Sequence, residues 1–100
     1  MAKIRWTAKA SGWLEKIYHF IAMDKPLAAQ KLIEEIYRRS ALLREFPELG
    51  YRLPPFRKKN IRVLLYGHYR ILYEIETDGD INILGVLHSA LDLKKHLKPD

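Results

Sequence analysis

One hundred residues, 48% of them hydrophobic and none of them cysteine, make one packed domain over residues 1–100. They exclude a disordered chain, a second core and a disulfide scaffold. The net charge of +6 and a sequence pI near 9.7 favour an acidic partner, although many small soluble domains are mildly basic. The opening Met1-Ala2-Lys3-Ile4-Arg5-Trp6 has no apolar signal core. No stretch approaches the roughly 20 apolar residues that span a bilayer, so a soluble cytoplasmic protein without a membrane partner is expected.

Lys3 to Trp6 alternates charged and apolar residues and predicts a short strand. Thr7 stands where an N-cap belongs, and a helical pattern follows to about Met23, with Trp13, Ile17, Phe20 and Ile21 on one stripe. Gly12 weakens its first turns by up to about 1 kcal/mol. Asp24 and Pro26 start a second helix, expected to run to about Phe46 because Pro47 cannot continue it. Its apolar seam is Ala29, Leu32, Ile33, Ile36, Leu43 and Phe46. Two helices with so short a break between them make a helical hairpin.

After Pro47-Glu48-Leu49-Gly50 the texture changes to strands. Leu53-Pro54-Pro55 is an extended lead-in and Arg57-Lys58-Lys59-Asn60 a polar break. Ile61 to Tyr66, Tyr69 to Glu76 and Ile81 to Leu87 are strands, separated by Gly67-His68 and by the Asp78-Gly79 turn. One or two helical turns are expected between Leu91 and Leu97. The order β-α-α-β-β-β describes an α+β fold: an antiparallel sheet with an N-terminal helical hairpin packed on one face.

Side chains alternate across a strand. Ile61, Val63, Leu65, Tyr69, Ile71, Tyr73, Ile75, Ile81, Ile83 and Leu87 then form the face under the helices. Arg62, Leu64, Tyr66, Arg70, Leu72, Glu74, Asn82, Leu84, Val86 and His88 form the other face, which is left open for recognition. Arg70 reads either as a clamp on phosphate or carboxylate or as half of a structural ion pair, for instance with Glu74. His88 reads as a general acid–base or as a structural hydrogen-bonder, and Tyr66 as packing or as a stacking platform. Arg57, Lys58 and Lys59 read as a phosphate-contacting cluster or as a solvated loop. His19, His68, His88 and His96 lack ligand spacing, and no glycine-rich phosphate loop or nucleophile elbow occurs, so neither metal nor cofactor is expected.

Three segments resemble one superfamily. Pro47-Glu48-Leu49-Gly50 is similar to its P-x-x-G. The stretch Gly67-His68-Tyr69-Arg70-Ile71-Leu72-Tyr73 resembles G-x-Y-R-[IVL]-x-Y, and the run from Ile83 through His88 to Asp92 resembles I-x-x-V-x-H-x-x-x-D. Thr7-x-x-Ala10 with Leu14, Ile17 and Tyr18 is similar to the first helix. The resemblance is to the RelE/ParE toxins of type II toxin–antitoxin systems, which serve in plasmid stabilisation, and it spans nearly the whole chain. It implies a hetero-oligomer with an acidic, partly disordered antitoxin that folds on the toxin. ParE-like members inhibit DNA gyrase; RelE-like members cut messenger RNA in the ribosome with basic and aromatic residues.

Arg70 matches the arginine used by the RNA-cutting branch, Arg62 matches a basic strand position only with a one-residue slip, and His88 completes the set if the chain is an RNase. Arg57, Lys58, Lys59, Tyr66, Arg70 and His88 are the candidate binding residues. The RNA-cutting branch carries a further arginine where Ser89 and Ala90 stand here, and a tyrosine that the segment from Leu91 to Leu97 lacks. The ending at His88 occurs in ParE-like and unassigned members alike. Leu91 stands where many of them have arginine and Trp13 where many have aspartate. The expectation is a ParE-like gyrase inhibitor, not an enzyme. A ribosome-dependent endoribonuclease is the alternative, and a non-catalytic binding module or degenerate toxin the second.

Overall fold

In the computed structural model, which describes residues 2–54 and 56–88, the chain begins with strand β1 (Ile4–Trp6) and two helices, α1 (Ala8–Ala22) and α2 (Pro26–Ala41). A 3-10 turn at Leu42–Arg44 is followed by β2 (Tyr51–Arg52), β3 (Asn60–Tyr66), β4 (Tyr69–Ile75) and β5 (Ile81–Leu87). The sheet order is β1-β5-β4-β3-β2. The β2–β5 ladders are antiparallel, as expected of a meander, while β1 lies parallel to β5 and makes the sheet mixed. That pairing follows from the connection, because the helical hairpin carries the chain across the sheet before β2 begins.

Local chemistry sets the helix ends. The Thr7 side chain accepts from the Ala10 amide at 3.1 Å and donates to the Ile83 carbonyl at 2.9 Å, so one residue caps α1 and ties it to β5. Pro26 occupies the first turn of α2, where its missing N–H is not needed. The α-helix stops at Ala41 and not near Phe46; the last residues tighten into the 3-10 turn, and Phe46 is 56% exposed. The expected α1 stripe is also rotated: Ala10 and Leu14 are buried, whereas Phe20 is 80% exposed. The expected turns between Leu91 and Leu97 lie outside the described residues.

The core under the helices joins Ala10, Leu14, Ile36 and Leu43 to Leu64, Ile71, Tyr73, Ile81, Ile83 and Val86. Each fully buried aliphatic side chain there contributes about 1.5–3 kcal/mol of transfer free energy. A smaller cluster of Phe56, Ile61, Val63 and Leu72, with Leu53 and Leu84 against it, occupies the other face. The second face is therefore not an open sheet. The segment entering β3 folds over its centre, and Phe56 is buried there.

The register corrects the expected faces. Gly67 takes φ +58° in a two-residue turn that pairs Tyr66 with Tyr69, then Leu64 with Ile71 and Arg62 with Tyr73. Residues directly opposite share a face, so Arg62, Leu64 and Tyr66 lie on the helix side, while Ile61, Val63 and Leu65 lie on the other. In β5 a bulge sets Leu72 against Gly85 but Tyr73 against Ile83. The extra residue, Leu84, reverses the alternation beyond it, so Val86 faces the helices and Leu87 does not. Among the described residues no helix is long and apolar enough to cross a membrane.

Candidate functional site

The P-x-x-G segment is buckled onto the sheet by two side chains. The Tyr73 hydroxyl donates to the Pro47 carbonyl at 2.7 Å and accepts from the Gly50 amide at 2.9 Å. Arg62 donates from Nη1 to the carbonyls of Gly50 at 2.8 Å and Glu48 at 3.4 Å, and from Nε to Asn60 Oδ1 at 3.1 Å. Gly50 is needed because an added Cβ would stand 2.5 Å from the Val63 carbonyl oxygen and 2.8 Å from the Tyr73 ring. Burial raises the Tyr73 phenol above its ordinary value, against the opposing pulls of the Gly50 amide and of Arg62. The hydroxyl therefore keeps the proton it gives to Pro47.

The buckle delivers Tyr51, the residue after Gly50, to the second face opposite Val63. There Arg70 Nη1 donates to the Tyr51 hydroxyl at 2.7 Å. Leu65, 49% exposed, pairs with Arg70 on the same face, and Tyr51 is 43% exposed. One guanidinium edge is thus oriented by a phenol, beside an exposed aliphatic side chain. That set can take a carboxylate or a phosphate together with an apolar neighbour. Of the two readings of Arg70, the structural ion pair is not adopted among the described residues: no acidic side chain there pairs with Arg70, whose guanidinium donates to Tyr51.

His88 belongs to a different surface. It is exposed at the end of β5, its ring packing edge-on against Tyr69 with centroids 5.2 Å apart and lying 6.3 Å from that of His68. Tyr66 is on the helix side too, with the Arg39 guanidinium 5.3 Å over its ring. Arg57, Lys58 and Lys59 are exposed in the bends before β3, anchored by the buried Phe56. Lys59 lowers the pKa of Glu74, but burial and the nearby Glu76 outweigh it and raise that carboxyl overall.

The structure therefore does not gather Arg62, Arg70 and His88 on one face, as the alternation had led us to expect. Arg62 is bound to backbone carbonyls on the helix side, Arg70 is on the opposite face, and His88 is at a strand end. Tyr51, which Arg70 engages, is not among the residues that the sequence singles out, and His68 stands there only as a turn residue without ligand spacing. The two-residue turn carried the missing signal, since it requires Tyr66 and Tyr69 to share a face. A shallow cavity of about 300 Å³ lies between the start of α1 and β5, lined by Lys9, Trp13, Leu72, Leu84 and Leu87 among others. Among the described residues no group of three His, Cys, Asp or Glu side chains could hold a metal ion.

Comparison with known proteins gives the chain its relatives. A family model described as the ParE toxin of the type II toxin–antitoxin system parDE matches residues 4–93. The chain is 32% identical to Toxin RelE2 of Caulobacter vibrioides over 90 residues, covering 90% of this chain and 98% of that protein. It is 31% identical to the toxin candidate Y4kP of Sinorhizobium fredii over 87 residues, covering 87% of this chain and 88% of that one. A chain of the chromosomal ParDE system of P. aeruginosa shares its fold, with a TM-score of 0.72 at 23% identity, over 89% of this chain and 97% of the other. A chain of the RelBE2 toxin–antitoxin complex of Mycobacterium tuberculosis superposes with a TM-score of 0.59 at 26% identity, over 87% of this chain and 96% of the other.

Proposed function

The chain belongs to the ParE toxin family of type II toxin–antitoxin systems, and from that premise we propose that it inhibits DNA gyrase and is held inactive by a cognate acidic antitoxin. The observation that carries the gyrase reading is the separation of Arg62, Arg70 and His88. Phosphodiester cleavage needs donors and a proton-transfer group converging within about 3 Å of the reacting atoms. Here Arg62 is spent on carbonyls of its own chain, and Ser89 and Ala90 stand where the RNA-cutting branch carries arginine. What remains suits binding without cleavage.

Arg70, Tyr51 and Leu65 are the surface on which we place the antitoxin, with Arg57, Lys58 and Lys59 as an outlying basic rim. A segment carrying carboxylates and apolar side chains would match both halves of that surface. The neighbouring structures bear on this reading, since the chains matched come from ParDE and RelBE2 toxin–antitoxin assemblies.

The likeness to Toxin RelE2 favours a second reading, a ribosome-dependent endoribonuclease. Purified protein titrated into a gyrase supercoiling reaction, beside a translation reaction scored for messenger integrity, separates the two. Loss of supercoiling with intact messenger is expected. Cut messenger with unaffected supercoiling would replace the first reading by the second.

A further inference from the structure

The tip of the helical hairpin carries the most exposed large apolar side chains of the described chain. Phe20 near the end of α1 is 80% exposed, Met23 at its C-cap 87%, and Leu27 in the first turn of α2 81%. Phe20, Met23 and Leu27 follow one another from the end of α1, across the turn, into the start of α2. None of them contributes to either core cluster. Exposed apolar residues grouped in this way are a cost in solution unless something covers them.

The charges around the tip say what kind of partner would. From residue 16 to residue 31 the cations are Lys16, Lys25 and Lys31 and the anion is Asp24, while Glu15, one residue earlier, lies 3.5 Å from His19. The three lysines and Asp24 each lie within four residues of one of the three apolar side chains, Lys16 standing one helical turn before Phe20. A second copy would bring the same cations, and another +6 of net charge, against this patch. An acidic protein surface with an apolar cleft is complementary in both respects.

Position adds a second constraint. The tip belongs to the helical layer, on the opposite side of the sheet from Arg70, Tyr51 and Leu65. We infer that the Phe20–Met23–Leu27 tip is the surface by which this toxin docks onto an acidic, apolar-clefted surface of its target protein, separate from the Arg70 face that takes the antitoxin. This rests on the reading of the chain as a toxin acting on a protein target.

The test uses the full chain carrying Phe20→Ser, Met23→Ser and Leu27→Ser together, and a second variant carrying Lys25→Glu and Lys31→Glu. All five side chains are exposed, so both variants should keep the wild-type thermal midpoint. Growth arrest on induction and inhibition of purified gyrase are measured beside affinity for the antitoxin. Both variants should lose at least about tenfold in growth arrest while antitoxin affinity stays within about twofold, as expected when a few central residues carry an interface. Growth arrest that survives the serine variant overturns the proposal whatever the target is. Antitoxin affinity falling in step with arrest also overturns it, because the tip is then the antitoxin's, and so does a wild-type dimer that the serine variant dissolves. Arrest lost in both variants, with wild-type protein inert on gyrase, supports the tip as the docking surface and removes gyrase as the target.

Discussion

Arg62 and Arg70 stand on neighbouring strands of one sheet, yet they do opposite work. Arg62 turns to the helix side and closes the P-x-x-G segment by donating to the Gly50 and Glu48 carbonyls. Arg70 turns to the other side and, among the described residues, donates to the hydroxyl of Tyr51, with Leu65 beside it. The first is fastened to backbone that cannot move without losing the buckle. The second is fastened to one side chain, which a ligand can share or displace. The difference shows that charge type and strand position do not decide whether an arginine is structural; the atoms its face presents to it do.

Substitutions at the buckle should break the structural half of this comparison most severely. Gly50→Ala places a methyl group against the Val63 carbonyl and the Tyr73 ring. Since the nearest obstacle is backbone, it should cost about 3 kcal/mol in chemical denaturation. Tyr73→Phe removes the acceptor of the Gly50 amide and the donor to Pro47, and should cost about 2 kcal/mol by the same measurement. Arg62→Met frees two carbonyls at a partly solvated edge and should cost about 1 kcal/mol. A cost as small as that of an exposed arginine would place Arg62 with Arg70 and collapse the contrast.

Arg70→Met should leave stability within about 0.5 kcal/mol but weaken antitoxin binding at least about tenfold in a calorimetric titration. Unchanged binding would remove the second face from the proposed interface.

The smallest effect belongs to the far edge of the sheet. Asp80 accepts from the Lys3 amide at 3.0 Å and pairs with Arg5 at 2.8 Å, so β1 is clipped to the start of β5. Chiefly that amide, and with it Arg5 and Lys3, hold the Asp80 carboxyl below its ordinary value of 3.8, against a smaller opposing push from burial. A carboxyl depressed in the folded state stabilises it above the unfolded value and loses that contribution as pH falls through the folded one. Amide exchange at the β1–β5 pairing, taken relative to the intrinsic rate at each pH, should therefore quicken only as pH drops below about 3.8. In Asp80→Asn it should already be fast at neutral pH.

Much of the architecture was legible in the residues. Thr7 as a cap, Pro26 as a helix start, the Gly67-His68 turn and the Asp78-Gly79 turn each act within a few positions, and each is found where its chemistry put it. The faces of β3 were less legible, because Leu64 and Leu65 are both apolar and either phase of the strand looks reasonable. The bulge at Leu84 left no mark at all: it arises from the pairing of Leu72 with Gly85, a contact between distant parts of the chain. The parallel addition of β1 and the short β2 were invisible for the same reason.

By themselves, then, the residues determined the element order, the helical hairpin, the basic character and the family, since these depend on local capping, periodicity, composition and motif spacing. Tertiary structure alone decided which face each arginine serves and how Tyr73 fastens Pro47 and Gly50. It also decided that Phe20, Met23 and Leu27 stay outside the core. The physical reason is that a strand's phase and a helix's rotation are set by what packs across from them. That partner is dozens of residues away in the chain.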